Sequence, residues 1–192
     1  MRLIIVDGLD GVGKDTHAEL IKKKYEKKGK KVVIRSHPTS DNYFGRKAKK
    51  ALLGEGKFVK LKAAVFYMLD VIRSVKKYYG RSDIDTLIMV RYLIGTAYLP
   101  EKLAKTGYRF FFGFVPTSKY MFFLDAEPKV LFKRVKKRDE SEIFENIEAF
   151  KKVRKKALFL VKNWYVINTS GSINDTFSEI EKTLDFLDKK SG

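Results

Sequence analysis

The stretch VDGLDGVGKDT, residues 6–16, decides the fold. It has the form G-x-x-x-x-G-K, in which a glycine-rich turn carries backbone N–H groups inward around phosphate oxygens. Gly8, Gly13 and Lys14 stand at the required spacing, and Gly11 adds a glycine that a plain strand-to-helix turn does not need. The apolar run RLIIVDG before the turn reads as a buried strand, and the segment from Lys14 onward reads as a helix. Strand, glycine loop, helix is the context in which this spacing holds phosphate.

The chemistry follows from the parts. The helix N-terminus adds partial positive charge, and a lysine at position 14 is placed to bridge the β- and γ-phosphates of ATP. Gly8, Asp10, Gly11, Val12, Gly13, Lys14, Asp15 and Thr16 therefore form the expected ATP seat. One residue departs from the pattern. The position after the lysine is usually Ser or Thr, whose hydroxyl touches Mg²⁺; here it is Asp15. A carboxylate is a hard oxygen ligand that can hold Mg²⁺ itself. An acid in a first helical turn is also favourable with no metal present. Thr16 keeps a hydroxyl for the α-phosphate.

Working outward, short apolar and β-branched runs at 2–8, 31–37, 85–92, 120–126 and 164–170 read as five buried strands. Continuous apolar runs suit parallel strands covered on both faces. Helical spacing is read at 14–28, 57–79, 127–137, 143–162 and 174–189, with a charged break at 139–146 that is expected to form a flap. Strand and helix in alternation mean an α/β fold with a parallel sheet flanked by helices on both faces. No repeat and no linker divides residues 1–192, so one domain is expected.

Composition narrows the chemistry. The chain of 192 residues has no cysteine and only two histidines, His17 and His37, which excludes disulfides and thiolate chemistry and disfavours a histidine metal site. It carries 41 Lys and Arg against 23 Asp and Glu, a net charge of +18. Such a surface attracts anions, whether nucleotides, nucleic acid or anionic membrane, or is simply a lysine-rich solvated surface. No recognised nucleic-acid motif accompanies the charge. The chain opens on a strand-like run and holds no long apolar span, so a soluble, cytoplasmic protein with no membrane partner is expected.

The order of motifs resembles the thymidylate kinase family, the nucleoside monophosphate kinases that phosphorylate dTMP. The opening IIVDGLDGVGKDT is similar to that family's glycine loop, in which the acid corresponding to Asp10 faces the acceptor nucleotide. HPTSDNYFGRKAKKALLGEG (37–56) resembles its Pro-Thr-x-Ser segment and short helix. AVFYMLD (64–70) resembles the helix that stacks an aromatic on thymine, with Tyr67 at the aromatic position. MVRYLIGTAYLP (89–100) resembles the Asp-Arg-Tyr strand end, matching at Arg91 and Tyr98. LFKRVKKRDESEIFENIEAFKKVRKKAL (131–158) resembles the arginine-rich lid, here about 134–146, and VINTSGSINDTFSEI (166–180) the closing strand, turn and helix.

The resemblance implies a P-loop NTPase fold with a small lid, ATP and Mg²⁺ as cofactors, a nucleoside monophosphate acceptor and a homodimer. It implies Lys14, Arg91, Arg134 and Arg138 as the transfer machinery, with one of the two lid arginines acting; the alternative for KRVKKR, with its five cations, is a solvated basic face. On the acceptor side it implies Asp10, Tyr67, Asp70, Arg91 and Tyr98; the residues themselves add His37, at the strand end where α/β folds place ligands, Phe44 as a further wall for the base, and Arg73 on the helix of Asp70, although aromatics at helical spacing also serve as core. His17 reads as a surface or packing residue. The helix at 63–72 is the expected dimer contact, or packs only on its own sheet.

This chain also departs from the family at named positions. Asp15 replaces a hydroxyl, Val90 replaces the acid before Arg91, Val71 replaces an acceptor-clamping arginine, and Ser36-His37 replaces Arg-Glu before the proline. Arg73 lies two residues beyond Val71, about 200° around a helix. Arg35 stands near enough to compensate, and Asp15 can supply the carboxylate lost at Val90. The competing readings are a nucleotide-binding protein without catalysis, a kinase for another acceptor, and a nucleic-acid-binding module.

Overall fold

The computed structural model describes residues 1–54, 56–99, 101–136 and 147–190. Five strands form one sheet: β1 (Arg2–Gly8), β2 (Val32–Ser36), β3 (Thr86–Val90), β4 (Tyr120–Asp125) and β5 (Tyr165–Asn168). Their order is β2-β3-β1-β4-β5, and every neighbouring pair is parallel. Register sets Val6 beside Val90 and Gly8 beside Leu124. Each strand lies inside one of the five apolar runs.

Successive strand residues point to opposite faces. Ile4, Ile5 and Val6 of β1 and Leu87, Ile88, Met89 and Val90 of β3 are all fully buried, so the sheet is covered on both sides. The seven helices described are α1 (Lys14–Glu26), α2 (Tyr43–Leu52), α3 (Lys57–Tyr78), α4 (Glu101–Phe114), α5 (Pro128–Lys136), α6 (Ile147–Leu160) and α7 (Ile173–Lys189), with a 3₁₀ turn at Ile94–Tyr98. α1 lies on β1, β2 and β3 and meets α7; α4, α6 and the 3₁₀ turn pack together, and α2 packs on α3.

Local chemistry sets several helix starts. Asn42 caps α2 by accepting from the Gly45 N–H at 3.1 Å, and Ser172 caps α7 by accepting from the Asp175 N–H at 3.1 Å. Two helices differ from the sequence expectation. α4 is absent from it, because Gly107, Gly113 and a run of phenylalanines hide its period. α2 entered only through the resemblance. Of the expected lid, residues 134–136 end α5, and the flap at 139–146, with Arg138, lies outside the described residues.

α4 buries Ala104, Tyr108 and Phe111 and leaves Leu103, Phe110 and Phe114 outward. Ile88→Ala, in the central sheet, is expected to remove about 2–5 kcal/mol of unfolding free energy. Phe110→Ser, on the outward stripe, is expected to change stability by less than about 0.5 kcal/mol. Urea unfolding followed by far-UV circular dichroism measures both, and equal losses would show that the outward stripe is packed.

Candidate active site

The loop between β1 and α1 is shaped by its glycines. A Cβ at Gly8 would run into the Leu124 carbonyl of the neighbouring strand. Gly13 sits at φ 85° just before α1, in the left-handed region that glycine tolerates. No side chain caps α1, so its first N–H groups are left to the loop. Val12 anchors the loop in the core. Lys14 is 3 % exposed. Its Nζ donates to the Leu9 carbonyl at 2.5 Å and lies 3.6 Å from Asp10 Oδ1. Burial lowers its pKa, with Asp10 opposing the shift and Arg91 adding to it. The Tyr98 hydroxyl donates to Asp10 Oδ2 at 3.1 Å, so Asp10, Lys14 and Tyr98 form one cluster. Thr16 is exposed on the first turn of α1.

At the end of β1, the Asp7 carboxylate is 1 % exposed. It accepts from the backbone N–H groups of Gly8 (3.0 Å), Tyr92 (2.9 Å), Leu93 (2.8 Å) and Ile94 (2.9 Å). Burial pushes its pKa up against those donors. The group therefore pins the start of the loop to the segment after β3. That segment contains Arg91, whose φ of 53° is in the left-handed region. The Tyr67 hydroxyl donates to the Arg91 carbonyl, and the Tyr67 ring lies against Gly95.

The Arg91 side chain reaches back over α1. Its Nη1 donates to Asp15 Oδ2 at 2.9 Å and to Ser36 Oγ at 3.0 Å, and its Nε is 3.9 Å from Asp10 Oδ1. Ser36 Oγ donates to Asp15 Oδ1 at 2.7 Å. Burial works to raise the Asp15 carboxyl, but Arg91 and Ser36 outweigh it and hold the pKa below the usual range. From the other side Arg134, on α5, donates from Nη2 to the Thr169 carbonyl at 2.8 Å and from Nη1 to the Gly11 carbonyl at 3.4 Å. His17, expected as a surface or packing residue, is buried beside Gly13. Burial and then Arg134 lower its pKa.

The segment after β2 is built around Asp70 of α3, which is fully buried. Asp70 accepts from the Thr39 N–H (2.6 Å), the Thr39 hydroxyl (2.7 Å) and Asn42 Nδ2 (2.5 Å). Asp70 thus holds 39–42 rather than presenting a free carboxylate. Arg35 does not stand free for an acceptor. It donates to Asp41 at 3.0 Å, bonds Ser74 and stacks over Tyr78. Val71 is core. Arg73 is half-buried with its Nη1 unpaired. Phe44 is half-buried, its ring edge-on to Tyr43.

Thr39, Asn42 and Asp7 were missed by reading the sequence, and Ser36 was named there only as a departure from the family pattern, not as a partner of Arg91. Asp7 left one signal, an acid closing an apolar strand directly before the first loop glycine. A hollow of about 300 Å³ among Tyr108, Phe112, Met121 and Trp164 lies by the first residues of β4 and β5 and includes none of the loop.

Among the described residues no group of three or more His, Asp or Glu side chains is arranged for a metal. The expected ligand, Asp15, has both oxygens engaged and its charge matched by Arg91. In this arrangement Asp15 is committed to Arg91 and Ser36 rather than open to a metal.

A phosphate loop between a strand and a helix of a five-stranded parallel sheet gives this chain a P-loop NTPase fold. The family model for thymidylate kinase matches residues 6–180, and the chain belongs to the thymidylate kinase family. A probable thymidylate kinase of Thermococcus gammatolerans is 41% identical over 54 residues, 28% of this chain and 26% of that one. Probable thymidylate kinase 1 of Saccharolobus solfataricus is 27% identical over 192 residues, covering 95% of this chain and 96% of the relative. The solved thymidylate kinase of Candida albicans superposes with a TM-score of 0.78 at 15% identity, over 97% of this chain and 92% of that one, a likeness of fold. No described helix is long and apolar enough to cross a membrane.

His37 gives a pH test of the packing after β2. It is 1 % exposed, and its Nδ1 lies 3.2 Å from the Val90 carbonyl. Burial lowers its pKa from 6.5 to about 4, with Asp70 and Asp41 opposing and Arg35 assisting. The unfolded chain therefore binds one more proton between those values. Stability is full above the unfolded pKa and falls with pH toward the folded one, by at most about 1.4 kcal/mol per unit. His37→Asn keeps a donor for Val90, and it is expected to flatten the thermal-midpoint profile between pH 6.5 and 4. An unchanged profile would mean that another group carries the proton.

Proposed function

We propose that the protein transfers the γ-phosphoryl group of ATP to dTMP or a closely related nucleoside monophosphate, giving the diphosphate and ADP. One observation carries the reading beside family membership. Lys14, Arg91 and Arg134, drawn from α1, the end of β3 and α5, converge on the glycine loop. Phosphoryl transfer needs positioning and charge stabilisation more than covalent help. The acceptor phosphate oxygen attacks the γ-phosphorus, and the bond to the bridging β-oxygen breaks.

In this reading the loop N–H groups and the start of α1 hold the donor phosphates. Lys14 leaves the Leu9 carbonyl for the β- and γ-phosphates. Arg91 lies between donor and acceptor phosphates, and Arg134 stabilises the transferring group from the lid side. Arginines so placed are worth more once water is excluded. Tyr98 and Asp10 face the acceptor sugar, while Tyr67 and Phe44 wall the base. Asp70 and His37 act indirectly, by fixing the segment the acceptor lies on.

The outward apolar residues of α3, Phe58 at 89 % exposed, Leu61 and Val65, support a homodimer through that helix. These outward residues begin nearer the start of α3 than the stretch at 63–72 named from sequence.

Transfer from ATP in Mg²⁺ to a panel of nucleoside monophosphates, followed by coupled ADP release, tests the proposal. Activity with dTMP is expected, and Lys14→Ala should lower kcat/KM by about 10²-fold or more. Activity only with another acceptor would move the substrate. ATP binding without transfer to any acceptor would leave a nucleotide-binding protein without catalysis.

A further inference from the structure

We propose that Asp15 and Ser36 are positioning residues for Arg91. Together they form a closed hydrogen-bonded ring that aims the guanidinium across the mouth of the phosphate loop. The proposal rests on the kinase reading above for its catalytic consequence, though the ring itself does not.

The three members come from three elements: the first turn of α1, the last residue of β2, and the residue after β3. Each bonds both others. Ser36 donates its one hydroxyl proton to Asp15 (2.7 Å) and accepts from Arg91 Nη1 (3.0 Å). Arg91 Nη1 also donates to Asp15 at 2.9 Å and 3.3 Å. A hydroxyl suits the middle position because it donates and accepts at once. The carboxylate suits the end because it accepts from both partners and carries the opposite charge.

The backbone supports the same assignment. Arg91 adopts φ 53°, a conformation that costs a non-glycine residue energy unless its surroundings enforce it. Tyr67 holds its carbonyl, and Asp7 holds the next three N–H groups. With the backbone direction fixed, the remaining freedom of the side chain lies in its own torsions, which the ring restrains. Residues 15, 36 and 90 are the positions where this chain departs from the family pattern around Arg91. The carboxylate missing at Val90, which is core, is thus matched by one on α1 that serves the arginine rather than a metal.

The test uses the full chain and the variants Asp15→Asn, Ser36→Ala and the double variant. In steady-state transfer to dTMP, each single variant is expected to lose about 10–10² in kcat, with the ATP KM and the Mg²⁺ midpoint within about twofold of wild type. The double variant should fall no further than the worse single one, because the ring acts as a unit. An Mg²⁺ midpoint raised about tenfold in Asp15→Asn, with Ser36→Ala like wild type, would overturn the proposal and make Asp15 a metal ligand.

A second readout does not need turnover. ¹⁵N NMR of arginine guanidinium groups should show a resolved Arg91 Nη signal in wild type that is lost in both single variants. Its persistence in both would also overturn the ring. If wild type transfers phosphate to no nucleotide, the kinase reading falls and the guanidinium spectra still decide the ring.

Discussion

The Asp7 carboxylate collects four backbone N–H groups from two separate parts of the chain, and the geometry of the site depends on it. Burying a carboxylate is costly unless its lone pairs are satisfied. Here four charge-assisted hydrogen bonds at 2.8–3.0 Å satisfy them. β1 and β3 are neighbours, with Val6 opposite Val90, so this one group fixes where the loop begins and where the chain turns after β3. The Tyr67 hydroxyl bonds the carbonyl on the other side of that turn. Between the two lies the left-handed backbone of Arg91, at φ 53°. The 3₁₀ turn that follows then delivers Tyr98 to Asp10.

Charge follows the same division between framework and site. Many acids are spent away from the loop. Asp188 pairs with Arg2 and accepts from Tyr25 and Tyr120, Asp185 and Glu181 pair with Lys24, and Asp125 with Glu127 takes Arg154. Around the loop, Lys14, Arg91 and Arg134 stand against Asp7, Asp10 and Asp15. The net charge of +18 draws anions toward the molecule at long range, an effect that salt weakens.

What the sequence made legible was what depends on local pattern. β1, β3 and β4 are covered on both faces, so their residues read as continuous apolar runs, and the loop is defined by spacing alone. α4 was illegible because Gly107 and Gly113 interrupt it and because two of its stripes are apolar, one buried and one outward. In the site, Asp10, Lys14, Arg91, Tyr98 and Arg134 could be named from motifs. Asp7, Ser36, Thr39 and Asn42 could not, since their roles are contacts made across long separations. Asp7 meets Ile94, Ser36 meets Arg91 and Thr39 meets Asp70. Asp15 was found from the motif, but its partner was not, because nothing local says whether an exposed carboxylate faces a metal or an arginine.

The segment expected to face the acceptor shows why a residue absent from the family pattern is not replaced by any neighbour of the same charge. Arg35 is near the required place in sequence, but its guanidinium is held by Asp41 and Ser74 and stacked on Tyr78, so moving it would break three contacts. Arg73 carries the charge on α3, but on a face that buries one guanidinium nitrogen without a partner. Asp70, one turn earlier, is fully committed to Thr39 and Asn42. The helix cannot rotate to present Arg73 without releasing that anchor. Of these cations, Arg91 alone combines a backbone fixed from both ends with a side chain held only by groups at the loop mouth. In the kinase reading an acceptor phosphate competes for Arg91 against two carboxylates and one hydroxyl, whereas at Arg35 it would have to dismantle packing.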